Sequence, residues 1–254
     1  MHAPATPAII DPELLLLAYR SGIFPMADAR DDAEIFWVEP RKRAVLPLDG
    51  FHLSRSLARA LRRGGFRVTC NAAFGEVLRA CAAPRADSGE TWISRRIEAT
   101  YLALHAAGHA HSIECWRGEE LLGGLYGVQF NRAFCGESMF SRAPNASKVA
   151  LAWLVAALRR GGSELLDCQF ITPHLASLGA VEIDQRDYLE ALRAAQVSIA
   201  GDGAAEGLGE ALGVDVGEAL GLPAAFGALL AEAAASGESS SPGNFIAQSL
   251  TQTS

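Results

Sequence analysis

Between Val149 and Leu158 the chain reads VALAWLVAAL, helix-forming in composition and without a charged residue. A helix that is apolar on every side has no face to turn to water, so it has to be buried. It is also far shorter than the roughly 20 residues a membrane span requires, which makes it a core helix. Pro144, Asn145 and Ser147 precede it as start signals. Arg159-Arg160-Gly161-Gly162 ends it, with cations in the last turn and glycine just beyond. The surrounding stretch, Ala133 to Ala180, reads as strand, tight loop, long helix, strand and short helix. Gly136-Glu137-Ser138 sets a carboxylate beside a flexible backbone point. Glu164–Ile171 is the second strand, and its alternation predicts Asp167 and Gln169 on one face with Leu166, Cys168 and Phe170 on the other. Two polar side chains on one face of a core strand are either a hydrogen-bonded structural pair or a reactive one.

Ahead of that stretch, Asp11–Arg20 is a short helix closed by Gly22 and Pro25, followed by an irregular link to Trp37. Pro40–Leu46 reads as a basic strand, His52–Arg63 as a helix, and Phe66–Cys70 as a strand; Asn71 is a candidate cap for a helix over Ala73–Cys81. A helix over Ser94–Ala107 leads to strands Ser112–Arg117 and Leu121–Gln129 about a Gly118-Glu119 turn. Val181–Ile183 and Arg186–Ala195 supply a last strand and helix. The pattern predicts an α+β (mixed α/β) fold, with a small N-terminal domain over 1–50, a main domain over 51–197 and an acidic Gly/Ala/Ser-rich tail over 198–254. One helix is expected in that tail, over Pro223–Ala235.

The net charge of −7 conceals an uneven distribution. No Lys or Arg follows Arg193, whereas Arg41–Arg96 holds twelve Lys or Arg against four Asp or Glu. Such an excess can hold a polyanion; the helical spacing of Arg55, Arg59, Arg62 and Arg63 fits a solvated helix face equally well. The cysteines at 70, 81, 115, 135 and 168 form no CxxC pair and read as reduced thiols of a cytoplasmic protein. His105, His109 and His111 mark a helix end and suit core or capping roles better than metal binding. Walker, dinucleotide, HExxH and GxSxG motifs are absent. A CoA-dependent acyltransferase would carry a glycine-rich loop before its helix; here Arg142-Ala143-Pro144-Asn145-Ala146-Ser147 has no glycine, and its proline removes a donor.

Gly22-Ile23-Phe24-Pro25-Met26, Trp92-Ile93-Ser94, Gly108 to Glu114, Gly123 to Val128, Phe134 to Arg142, Asn145-Ala146-Ser147-Lys148 and Asp167-Cys168-Gln169 together resemble the leucyl/phenylalanyl-tRNA–protein transferases, in the right order over about residues 9 to 196. The resemblance implies a small N-terminal domain on an N-acetyltransferase-like domain with a mixed sheet. It implies transfer of Leu or Phe, and Met less well, from aminoacyl-tRNA to proteins beginning with Arg or Lys. No cofactor or metal is implied, and no membrane. Asp167 and Gln169 would be catalytic, and Gly136 and Glu137 would form the acceptor-peptide and aminoacyl site. Leu125, Phe134, Leu151, Leu154, Leu158 and Leu166 would line the aminoacyl pocket. Trp92 and Met26 would hold the 3′ adenosine, with Arg41, Lys42, Arg43, Arg62 and Arg63 on the tRNA backbone. The tail carries no part of the resemblance and is expected to be dispensable for the chemistry. A CoA-dependent N-acyltransferase and a non-catalytic binder of basic N-termini or tRNA ends are the rival readings.

Overall fold

The computed structural model describes residues 9–84, 90–197, 219–235 and 242–251. In chain order the elements are α1 (Pro12–Arg20), β1 (Phe24–Met26), β2 (Phe36–Val38), β3 (Lys42–Val45), α2 (Arg55–Arg62), β4 (Arg67–Cys70), α3 (Phe74–Ala82), α4 (Arg95–Ala106), β5 (Ala110–Arg117), β6 (Glu120–Phe130), β7 (Ala133–Ser141), α5 (Ala146–Arg160), β8 (Leu165–Gln169), α6 (Pro173–Ala176), β9 (Val181–Asp184), α7 (Gln185–Gln196), α8 (Leu222–Ala235) and α9 (Pro242–Ser249). The apolar helix is α5, and every residue from Val149 to Leu158 is buried. A helix without a polar face needs cover on both sides. The sheet and the tail supply it.

Seven strands form one mixed sheet in the order β4-β5-β6-β7-β8-β3-β9, antiparallel except where β7 runs beside β8. The two strands expected about Gly118 form a hairpin, with Gly118 at φ +58° in its turn. β3 lies between β8 and β9, so the main unit draws on residues ahead of Phe51. The link expected to be irregular contains β1 and β2, which pair as a separate two-stranded ribbon. The fold is therefore mixed α+β: a small N-terminal region beside a main unit built on a mixed sheet.

One face of the sheet packs on α5 and α2, and the other on α1, α3, α4 and α7. Close contact explains two glycines. A Cβ on Gly123 would lie 2.5 Å from the Ala146 Cβ, and one on Gly127 would lie 2.4 Å from the Phe134 ring. Asn71 does not cap α3: its own φ is +59°, and its side chain bonds the Ser112 amide and the His111 ring instead. The carboxylate of buried Glu114 accepts the Ala72 and Ala73 amides, at 3.4 and 3.5 Å. His105 stacks on Phe74, which accounts for a second member of the histidine cluster.

The described parts of the tail pack on the core. α8 lies on the outer side of α5, where Phe226 packs against Trp153 with ring centres 5.3 Å apart, and Leu222 and Leu229 are buried in the same cluster. Two backbone amides secure it: Leu220 donates to the Gly161 carbonyl (2.9 Å) and Leu222 to Gln129 Oε1 (2.7 Å). α9 packs on α2 and α5. Composition hid this because alanine-rich helices look like linker until the surface they cover is known. Among the described residues no helix is long and apolar enough to cross a membrane. Phe226→Ala should lower stability by about 3 kcal/mol or more, as for other buried aromatics. Urea unfolding measures this, and a loss within error would show that α8 is not part of the core.

Candidate active site

The site is created where β7 and β8 part. They pair only over Ala133–Cys135 and Leu165–Asp167, after which each follows another neighbour. β7 stays with β6 to Ser141, while β8 turns at Gln169, a non-glycine residue at φ +63°. The expected shared face of Asp167 and Gln169 is lost at that turn, because a left-handed residue ends the alternation of a strand. A cleft of about 900 Å³ opens between the diverging strands, with the start of α5 along one side.

β7 also carries a bulge. Tyr126 faces Ser138 and Gly127 faces Gly136, so Glu137 is an extra residue without a cross-strand partner. A bulge redirects the side chain it carries. Residues 136–138 are strand, and the bulge supplies the local freedom expected beside Gly136. Glu137 is 7% exposed. Its Oε2 accepts the Tyr101 hydroxyl at 2.8 Å, and Tyr101 is in turn bonded to the Tyr19 hydroxyl. Because the Tyr101 proton points to Glu137, Tyr19 is the donor in that second bond. Glu137 Oε1 and the Gln169 amide nitrogen are buried without a well-formed hydrogen bond, although the amide lies near enough to favour the charged carboxylate. Burial raises the Glu137 carboxyl from its ordinary 4.5 to about 7; the Tyr19, Tyr101 and Gln169 groups pull it down, and the Asp167 charge pushes it up.

Asp167 is fully buried and does not line the cleft. Arg43 grips it with Nε to Oδ1 (2.9 Å) and a terminal nitrogen to Oδ2 (2.6 Å). Tyr188 donates to Oδ2 (3.0 Å), and the Gln169 backbone N–H to Oδ1 (2.8 Å). Arg43 is only 1% exposed, so its assignment to the tRNA backbone is corrected. Burial disfavours its charge, and the Asp167 carboxylate more than compensates, leaving the guanidinium more firmly protonated than usual. The pair is built from β3 and β8, 124 positions apart, and also holds the N-terminal region through the Gly22 carbonyl (3.1 Å) and the Phe24 ring.

Of the remaining expected residues, Trp92, Leu125, Gly136, Leu151, Leu154, Leu166 and Gln169 line the cleft with Glu137. Phe134 and Leu158 do not; both are core, the first lying over Gly127. Met26 is also outside the cleft lining and sits opposite Phe36 in the ribbon, although the next residue, Ala27, donates its amide to the Trp92 carbonyl. Arg41, Lys42, Arg62 and Arg63 are exposed, with Lys42 paired to Asp184. Tyr19, Tyr101 and Tyr188 escaped the sequence reading because aromatic residues on amphipathic helices look like ordinary core.

Two measurements test this geometry. Arg43→Met should destabilise by ~3–5 kcal/mol by stranding the Asp167 charge, and Arg43→Met with Asp167→Leu should recover much of that in urea melts. No recovery would mean the loss is one of shape. The Glu137 carboxyl keeps its proton in the folded chain between pH 4.5 and about 7, after the unfolded chain has released it. Stability therefore falls as pH rises through that window. Glu137→Gln should be more stable than the parent by ~2–3 kcal/mol above about pH 8, and the two should converge below the ordinary carboxylate range. A pH-independent difference would contradict the raised pKa.

The sequence profile of the leucyl/phenylalanyl-tRNA protein transferase family matches residues 45–193, and that of the family's N-terminal domain matches residues 9–41. The chain is 64% identical to a leucyl/phenylalanyl-tRNA–protein transferase of Novosphingobium aromaticivorans, with 98% of each chain covered. It is 61% identical to a protein of that name from Rhizorhabdus wittichii, over 78% of this chain and 80% of the relative. A third, from Zymomonas mobilis, is 58% identical over 74% of this chain and 70% of the relative. The chain belongs to the leucyl/phenylalanyl-tRNA protein transferase family and is a transferase.

Proposed function

We propose that the protein moves leucine or phenylalanine, and methionine less well, from aminoacyl-tRNA to the N-terminal α-amine of proteins that begin with Arg or Lys. The product is a degradation mark of the N-degron type, made in the cytoplasm. The observation that carries this reading is a cleft whose walls are apolar but which also holds Glu137 and Gln169, two buried polar groups with unmet hydrogen-bonding capacity.

Each part of the reaction has a counterpart there. Leu125, Leu151, Leu154 and Leu166 suit an unbranched apolar side chain. Trp92 offers a ring on which the terminal adenine stacks, and such stacking is worth ~1–3 kcal/mol per base. Met26 adds a polarisable thioether one residue before Ala27, whose amide bonds the Trp92 carbonyl. Arg41, Lys42, Arg62 and Arg63 take tRNA phosphates, since the exposed Lys42–Asp184 pair gives up little when phosphate replaces the carboxylate. Gln169 orients the incoming amine. Asp167 is a positioning residue: Arg43 and Tyr188 hold it, and through the Gln169 backbone it fixes the turn that aims the amide.

The aminoacyl ester is already activated, so the chemistry reduces to aligning the amine and removing its proton. Incubation with charged Leu-tRNA and an Arg-initiated peptide should add one leucine residue to the peptide mass. An N-acetylated copy of the peptide should gain nothing. An unchanged Arg-peptide would defeat the proposal, and a gain of acetyl mass from acetyl-CoA without tRNA would establish the CoA reading instead.

A further inference from the structure

We infer that Glu137 Oε1 is the atom that accepts the proton of the acceptor amine, and that Tyr101 and Tyr19 are positioning residues that keep this oxygen free for it. The inference rests on the transfer reaction proposed above. It gives Glu137 a chemical role in addition to binding, and it removes the proton-accepting role from Asp167.

Hydrogen-bond capacity decides between the two acids. Both Asp167 oxygens are in use, with Arg43 and the Gln169 backbone N–H on one and Arg43 and Tyr188 on the other. A proton arriving there would compete with a guanidinium in a fully buried pair. Glu137 differs at each point: it lines the cleft, only its Oε2 accepts a bond, and Oε1 has none. The bulge gives it its direction and the tyrosines fix its rotation. Tyr19 comes from α1 in the N-terminal region and Tyr101 from α4, and both are essentially inaccessible to solvent. Since Tyr19 donates to Tyr101 and Tyr101 to Oε2, the network has no second proton to offer Oε1 and leaves it basic.

The groups around Glu137 are Tyr19 on α1, Tyr101 on α4, Gln169 and the Arg43-paired Asp167 on β8, and Cys135 on its own strand. None is a cation, so the carboxyl is held in the neutral range where an acceptor works best. The steps balance as follows. The ammonium of the peptide gives one proton to Glu137 Oε1, and the nitrogen lone pair forms a C–N bond to the ester carbonyl carbon. As the intermediate collapses, the C–O bond to the ribose breaks. The departing ribose oxygen takes a proton from the nitrogen, relayed by the neighbouring ribose hydroxyl, and Glu137 returns its own proton to solvent.

The test is the pH dependence of kcat for Leu transfer to an Arg-initiated peptide, measured for the parent protein, Glu137→Gln, Tyr101→Phe and Tyr19→Phe. The parent should rise through an inflection near 7. Glu137→Gln should lose about 10²–10⁴-fold in kcat and keep only the rise owed to the amine itself, near ~8. Tyr101→Phe removes a bond that favours the charged carboxylate, so its inflection should move to higher pH. Tyr19→Phe should move it the same way, since the Tyr19 hydroxyl also favours the charged carboxylate. A merely structural role for the tyrosines would lower melting temperature without moving the inflection. A folded Glu137→Gln that keeps the parent kcat and inflection, or loses only peptide affinity, overturns the inference while the transfer reaction stands. An inflection that stays in place in Tyr101→Phe overturns the positioning role. A parent protein that transfers nothing fails the function itself, a separate outcome.

Discussion

The buried ion pair between Arg43 and Asp167 is the interaction on which the site depends. It bonds β3 to β8, reaches the N-terminal region at Gly22 and Phe24, and reaches α7 at Tyr188. A buried pair is not intrinsically a strong stabiliser, because desolvation opposes the Coulomb gain. Its value here is geometric. With both oxygens engaged, Asp167 can fix the backbone of Gln169, and that residue is where β8 stops following β7. The divergence of those strands is the cleft. A change at Arg43 would therefore be felt in the position of an amide that it never touches.

Two acids stand close to the same opening with opposite electrostatic settings. Asp167 is neutralised by a permanent cation, and Glu137 is surrounded by hydroxyls and an amide. This is the usual way one fold separates structural from reactive carboxylates: environment, and not residue type, sets the role. The β7 bulge makes the separation possible, since in regular alternation Glu137 would have had a cross-strand partner and a different direction.

Much of this was readable from the chain, and the rest fails for identifiable reasons. α5, its terminators and the hairpin at Gly118 follow from periodicity and composition, both local properties, whereas the leucine lining was implied by the family resemblance and not by spacing. Arg43 read as one more cation in a basic segment, because its partner is 124 positions away and no local pattern announces the pairing. The strand alternation that put Asp167 and Gln169 together was undone by one left-handed residue, and φ is not visible in a glutamine. Phe134 and Leu158 were placed in the pocket by the resemblance, and their apolar character cannot tell a core position from a lining one. The tyrosines of α1 and α4 become notable only when a carboxyl appears beside them. The tail was read from its alanines and acids, and its function as cover required knowing that α5 had an uncovered side.

That cover has a consequence for how the protein is made. α5 leaves the ribosome well before α8, with residues 161–221 of chain between them. At a synthesis rate of roughly 5–20 residues per second, the gap lasts about 3–12 s. For that interval the helix that can least tolerate water has the sheet on one side and no native partner on the other. The nascent chain thus presents a transient apolar stripe, a natural target for a chaperone, and native packing completes only once α8 and α9 have emerged.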